Sequence, residues 1–247
     1  MSRASKGFRI AGNLIKITAA AVVAGVIALL LWRIFSSGTP SELKAMTPND
    51  SLAAAYELYG SDLYIFNQDH KSITTAERNY GYFAVTDCYI IPEANQIQIV
   101  FRYNNSTVRA LTEDYGLAEA PSLDAELYDV SLVIQTDLTP DNDKDNAGDV
   151  ADAVAYERIA PSSVRRERTN LYNYFRYVFE FGDDLSLSDM LESGELLAVY
   201  ADVYYNQDID YDKPAYGTLC LYDYKTDTVR ERLSGKDKRA IEAYIEG

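Results

Sequence analysis

Apolar residues along this chain follow two different patterns. From Leu14 to Phe35, LIKITAAAVVAGVIALLLWRIF, they run almost unbroken, with no charge between Ile17 and Trp32. A helix of about 22 residues is roughly 33 Å long, enough for a hydrocarbon core of about 30 Å. The pattern therefore predicts one transmembrane helix over residues 14–35, with Lys16, Trp32 and Arg33 at its two interfaces. Beyond Lys44 the apolar residues break into short stretches that mostly repeat every second position.

Those stretches predict strands. In Gln96–Tyr103, Ile97, Ile99, Phe101 and Tyr103 share one face while Gln98 and Arg102 share the other. This is the period of two of a strand with a buried face. Glu126–Thr136 repeats it with Tyr128, Val130, Leu132 and Ile134, and Tyr172–Phe181 with Phe175, Tyr177, Phe179 and Phe181. Further strands are expected at Leu63–Asn67, Tyr80–Ile91, Val154–Ile159, Leu196–Tyr205, Tyr216–Tyr224 and Thr228–Leu233. The run Pro161–Thr169, with Arg165, Arg166 and Arg168, reads as a basic loop, and Pro92-Glu93-Ala94-Asn95 as a turn.

Helices are few. Thr47-Pro48-Asn49-Asp50 reads as a cap and first turn, predicting a helix over Pro48–Tyr59 closed by Gly60. Leu52, Tyr56 and Tyr59 fall on its apolar face. Shorter helices are expected at Thr107–Tyr115 and Ser186–Ser193. A terminal helix is expected from Ser234 to Glu246, with Ala240, Ile241, Tyr244 and Ile245 together. Many alternating strands and few helices argue a mainly β fold, an antiparallel immunoglobulin-like β-sandwich preceded by one N-terminal transmembrane helix. The expected organisation is a basic tail over 1–13, the membrane helix over 14–35, a tether over 36–47 and a β-rich domain over 48–247.

Charge sets the topology. Residues 1–35 hold five basic residues and no acid, so the remainder has 18 basic against 38 acidic, a net of −20. The positive-inside rule then keeps the N-terminus in the cytoplasm and exports the body, as in a single-pass protein of bacterial type. An apolar core of about 16 residues, longer than that of a secretory signal, favours an anchor over a cleaved leader. A body this acidic repels nucleic acid, so a protein or glycan partner in the cell envelope is expected.

Three features bear on chemistry. Asp141, Asp143 and Asp145 stand at alternate positions with Asp149 beyond, as oxygen ligands do at the start of a calcium loop. The turn glycine is replaced by Asn146 and no bidentate glutamate follows, so a solvated acidic loop competes with a calcium site. Asp208, Asp210 and Asp212 repeat the spacing.

The second feature is Thr218-Leu219-Cys220 followed by Arg230. It resembles the sortases, membrane-anchored cysteine transpeptidases with a Thr-Leu-x-Thr-Cys strand. The resemblance covers about a dozen residues and implies Cys220 as nucleophile, His70 as its acid–base partner and Arg230 as oxyanion stabiliser. Two residues of that motif are absent here.

The third is 21 tyrosines. They suit strand surfaces and cores, and they also suit gripping a protein or stacking on sugars. Cys88 and Cys220 both fall in strands, where two free thiols and one bridge are the alternatives. With one histidine and no phosphate loop, zinc spacing or nucleophile elbow, a non-catalytic, membrane-anchored binding domain is expected.

Overall fold

The computed structural model describes residues 16–32, 39–68, 83–122, 125–137, 154–169, 171–182, 184–225 and 228–247. They divide into two compact units, Met1–Gly38 with Thr169–Leu171, and Thr39–Arg168 with Tyr172–Gly247. In the first, residues 16–32 form helix α1, exposed along its whole described length. Its 17 residues span about 26 Å, short of the about 30 Å that a bilayer core requires. Among the described residues no helix is long and apolar enough to cross a membrane. The rest of the predicted span, residues 14, 15 and 33–35, lies outside them.

The second unit is mainly β, with two antiparallel sheets and a few short helices. Strands β1 (Tyr64–Gln68), β2 (Phe83–Ile91), β3 (Gln96–Asn104), β6 (Ser163–Arg168), β7 (Tyr172–Glu180) and β10 (Thr228–Arg232) form a sheet ordered β10-β1-β2-β3-β7-β6. Strands β4 (Tyr128–Asp137), β5 (Val154–Ile159), β8 (Leu196–Tyr205) and β9 (Gly217–Asp223) form the other, ordered β5-β4-β8-β9. The helices are α2 (Asp50–Tyr59), α3 (Asn105–Asp114), α4 (Leu187–Ser193) and α5 (Gly235–Ile245).

The alternating residues meet where the period places them. Ile97, Ile99, Phe101 and Tyr103 of β3 join Val130, Leu132 and Ile134 of β4 in one core between the sheets. Tyr128 is wedged across that core. Its ring centroid lies 5.2 Å from Phe83, 5.8 Å from Phe101 and 5.5 Å from Tyr103, all edge-on. Such contacts contribute about 0.5–1.5 kcal/mol each beyond burial.

β3 is buried on its other face as well, and that face carries amides. Gln96 and Gln98 are fully buried. The described part of the segment expected to be a tether lies across them. Thr47 N–H donates to Gln98 Oε1 at 2.8 Å, and Gln98 Nε2 donates back to the Thr47 carbonyl at 2.8 Å. The Gln98 side chain thus pairs with the strap as a neighbouring strand would. Met46 N–H donates to the buried Asp237 Oδ1 at 2.8 Å, and Arg176 donates to the Leu43 carbonyl. Burial lowers the pKa of the Arg176 guanidinium, which lies 5.3 Å from the Tyr89 ring centroid.

Helices α2 and α5 complete this roof over a second cluster that includes Met46, Leu52, Ile65, Ile91 and Ile241. Tyr56 donates to Glu242 and Tyr244 to Asp50, at 2.8 and 2.7 Å, clasping the two helices. The α2 cap differs from the expected one. Asn49, not Thr47, is the N-cap, its Oδ1 accepting from Leu52 N–H at 3.0 Å, so Pro48 lies outside the helix. The apolar faces are also narrower than expected, since Tyr59, Tyr244 and Ile245 are exposed.

The expected basic loop is instead strand β6, paired with β7 from Ser163↔Val178 to Arg168↔Asn173. An edge strand needs no apolar alternation, and arginines discourage further pairing on its open side.

Tyrosine burial makes this fold sensitive to alkali. Burial, reinforced by Asp87, pushes Tyr89 up to about 12, and burial raises Tyr128 and Tyr177 in the same direction. A raised folded-state pKa means full stability below about pH 10, where unfolded tyrosine ionises, and loss as pH climbs through about 12. Absorbance titration at about 295 nm should show exposed tyrosines ionising first and the rest only with cooperative unfolding. One smooth titration of every tyrosine near pH 10 with the fold intact would contradict this.

Candidate functional site

Where the six-stranded sheet is roofed, the four-stranded sheet presents a face built of tyrosine, arginine and small polar residues. Alternation along β8 sends Val199, Ala201 and Val203 into the core and leaves Tyr200, Asp202 and Tyr204 on the other side. Register brings Ser131 opposite Asp202, and Val133 opposite both Tyr200 and Arg158.

Arg158 organises one end of this face. Its Nη1 donates to Ser131 Oγ at 2.6 Å, and its Nη2 to Asp202 Oδ2 at 3.1 Å and to the Tyr204 hydroxyl at 3.2 Å. Thr218 Oγ1 donates to the other Asp202 oxygen at 2.7 Å. The guanidinium carbon sits 5.3 and 4.9 Å from the Tyr204 and Tyr211 ring centroids, which cross at 82°. Tyr211 is fixed by donating to Asp129 Oδ2 at 2.8 Å, and that bond, with burial, raises its pKa. The result is a rigid lattice of planar groups, the composition enriched at protein interfaces. At the other end Tyr156 on the β5 edge is 67% exposed, and half-buried Val133, Tyr200 and Cys220 follow across β4, β8 and β9.

A separate cleft of about 260 Å³ lies among β1, β9, β10 and α4. Its lining includes Tyr64, Phe66, Leu191, Glu192, Tyr222 and Arg230. Asn95 sets the position of α4. This residue takes the left-handed conformation, φ 48°, at the end of the expected turn. Its Nδ2 donates to the carbonyls of Phe181 and Leu185 at 3.2 and 2.8 Å, and its Oδ1 accepts from Leu187 N–H at 2.8 Å. Arg230 stacks on the cleft's aromatic wall, 4.7 Å from the Tyr64 ring centroid and 5.1 Å from that of Phe66.

The residues singled out in the sequence scatter. Asp141, Asp143, Asp145, Asp149 and His70 lie outside the described residues. Asp210 forms an ion pair with Lys213 at 2.9 Å and accepts from Asp212 N–H at 3.2 Å, and the Lys213 hydrogen bond lowers its pKa. Among the described residues no three His, Cys, Asp or Glu side chains are arranged to hold a metal. Cys220 is half-buried opposite Tyr200 and does not line the cleft that holds Arg230. Cys88 is buried in the core, and neither cysteine is in a disulfide. Of the late tyrosines, Tyr205 and Tyr222 belong to the core, Tyr216 packs against it, and Tyr200, Tyr204 and Tyr211 build the face. Sequence reading missed Arg158, Asp202 and Glu192. Their only signal was position, a charge on the polar side of a strand or helix.

Neither a family model, nor a curated protein, nor a solved structure matches this chain.

The two thiols should separate in reactivity. A maleimide added to the native protein should label Cys220 and spare Cys88, which reacts only after denaturation. Equal labelling of both in the native state would contradict the burial of Cys88 in the core.

Proposed function

We propose that this chain is a non-catalytic binding module held at a membrane by one N-terminal helix, its body exported, engaging a protein or glycan of the cell envelope. The observation that carries the reading is the Tyr–Arg face of the four-stranded sheet. Its side chains are already fixed by Ser131, Asp202 and Asp129, so a partner would meet rings whose ordering entropy is spent in folding. Tyr156 and Tyr200 supply flat area with polar tips, which suits either a protein surface or a sugar ring.

Support for the anchor is the character of α1. Ile17, Val22, Val23, Val26, Ile27, Leu29, Leu30 and Leu31 are all exposed. A helix apolar all round is at home in a protein core or a bilayer. The sequence stays apolar to Leu14 on one side and to Ile34 and Phe35 on the other, interrupted by Lys16 and Arg33. With the N-terminal flank basic and the body acidic, the orientation is N-terminus inside.

The sandwich we read as immunoglobulin-like in its two-layer antiparallel design, with more strands and its own strand order. Its first three strands run as a meander in one sheet, whereas immunoglobulin constant domains divide theirs as A-B-E-D and C-F-G.

The test uses the full chain in bacterial cells with a photo-crosslinking amino acid at Tyr156, or at Tyr59 on the roof of the other sheet. Protease added to spheroplasts should remove the body, and crosslinks to a discrete envelope component should form from position 156 and not from 59. A protease-protected body, or equal crosslinking from both positions, would overturn the proposal.

A further inference from the structure

The cleft beside β10 holds two opposite charges that do not meet each other. Arg230 is stacked on Tyr64 and Phe66, which fixes its plane without using its hydrogen-bond donors. The chain has 38 acidic residues, yet among the described residues none forms an ion pair with Arg230. Glu192, carried on α4, lines the same cleft, equally without an ion pair among the described residues. Both charges lie close enough to act on the Tyr64 hydroxyl. Burial raises its pKa, a hydrogen bond to Glu93 adds to this, Arg230 opposes it and Glu192 reinforces it. The lining of the cleft is mixed, with Phe66, Pro92, Leu191 and Tyr222 beside the hydroxyls of Tyr64 and Ser188.

We propose that this cleft binds a small zwitterion, an α-amino acid or dipeptide, with its carboxylate on Arg230, its ammonium on Glu192 and its side chains against Phe66, Leu191 and Tyr222. This site is distinct from the sheet face and does not depend on the membrane reading.

Charge and size select the class. A phosphate dianion would meet one guanidinium but also Glu192, Glu93 and a chain of net charge −15. A simple cation would meet Glu192 against the repulsion of Arg230. A neutral apolar ligand would use neither of the two charges, both of which stay exposed at the cleft's rim. A zwitterion satisfies both, and a planar carboxylate matches the guanidinium fork in two parallel hydrogen bonds. The volume of about 260 Å³ lies below the range of about 300–1,000 Å³ typical of drug-sized ligands, which leaves room for one or two amino acids.

Titration calorimetry on the full chain in detergent micelles, with leucyl-leucine as the probe, tests this. N-acetyl-leucyl-leucine and leucyl-leucinamide each remove one charge. Both caps should weaken binding about tenfold or more. Arg230→Gln should abolish discrimination against the amide while keeping that against the acetyl form, and Glu192→Gln should do the reverse. Each variant thereby carries its own evidence of an intact cleft. Three results would overturn the proposal: no saturable heat from leucyl-leucine at millimolar concentrations, equal binding of the capped forms, or loss of both discriminations together in a variant with unchanged circular dichroism. None of these bears on the sheet-face partner, which crosslinking reads separately.

Discussion

Burying β3 on both faces is the constraint that the body's architecture follows from. One face meets the second sheet and is satisfied by Ile, Phe and Tyr. The other carries Gln96 and Gln98 at zero exposure, and a buried amide without partners costs about 1–3 kcal/mol. The Thr47 backbone and the Asn49 side chain supply those partners, with Asn49 Nδ2 reaching Gln96 at 3.3 Å and Glu180 at 2.8 Å. Residues 39–49 are therefore part of the fold. Removing them would expose the apolar cluster beneath α2 and strand the amides, Arg176 and Asp237.

The roof makes the outer faces of the two sheets differ. The strap, α2 and α5 cover the six-stranded sheet, while on the four-stranded sheet Tyr156, Tyr200 and Tyr211 are at least partly exposed. There Arg158 is held by Ser131, Asp202 and Tyr204, with Tyr211 of the segment between β8 and β9 stacked on it. The same economy fixes the cleft. Asn95, needed to turn β2 into β3, also pins α4 through Leu187, and so helps place Leu191 and Glu192 in the cleft that Arg230 also lines.

Much of the core was legible because period two is a strong signal when one face is buried. The inward residues of β3, β4 and β7 are those the alternation names. What failed was local rather than global. β6 was missed because an edge strand of arginines carries no apolar alternation, and its pairing depends on β7 alone. The strap was missed because its bonds come from backbone groups of Met46 and Thr47, which leave no mark on composition. The α2 cap was misplaced by one motif, since Thr47 and Asn49 are both capping residues and only the pull of Gln96 and Glu180 on Asn49 decides between them. The cleft was not legible at all. Its walls come from four elements between Tyr64 and Arg230, and Arg230 drew notice only through a likeness that placed it beside Cys220.

The strap's integration can be read directly from amide hydrogen exchange at Met46 and Thr47 in the full chain. If Asp237 and Gln98 hold these amides, they open only with the body and exchange as slowly as the central amides of β3. Exchange at the rate of an exposed loop, with β3 still protected, would mean that the strap lies loosely on the sheet and that the buried amides are satisfied in some other way.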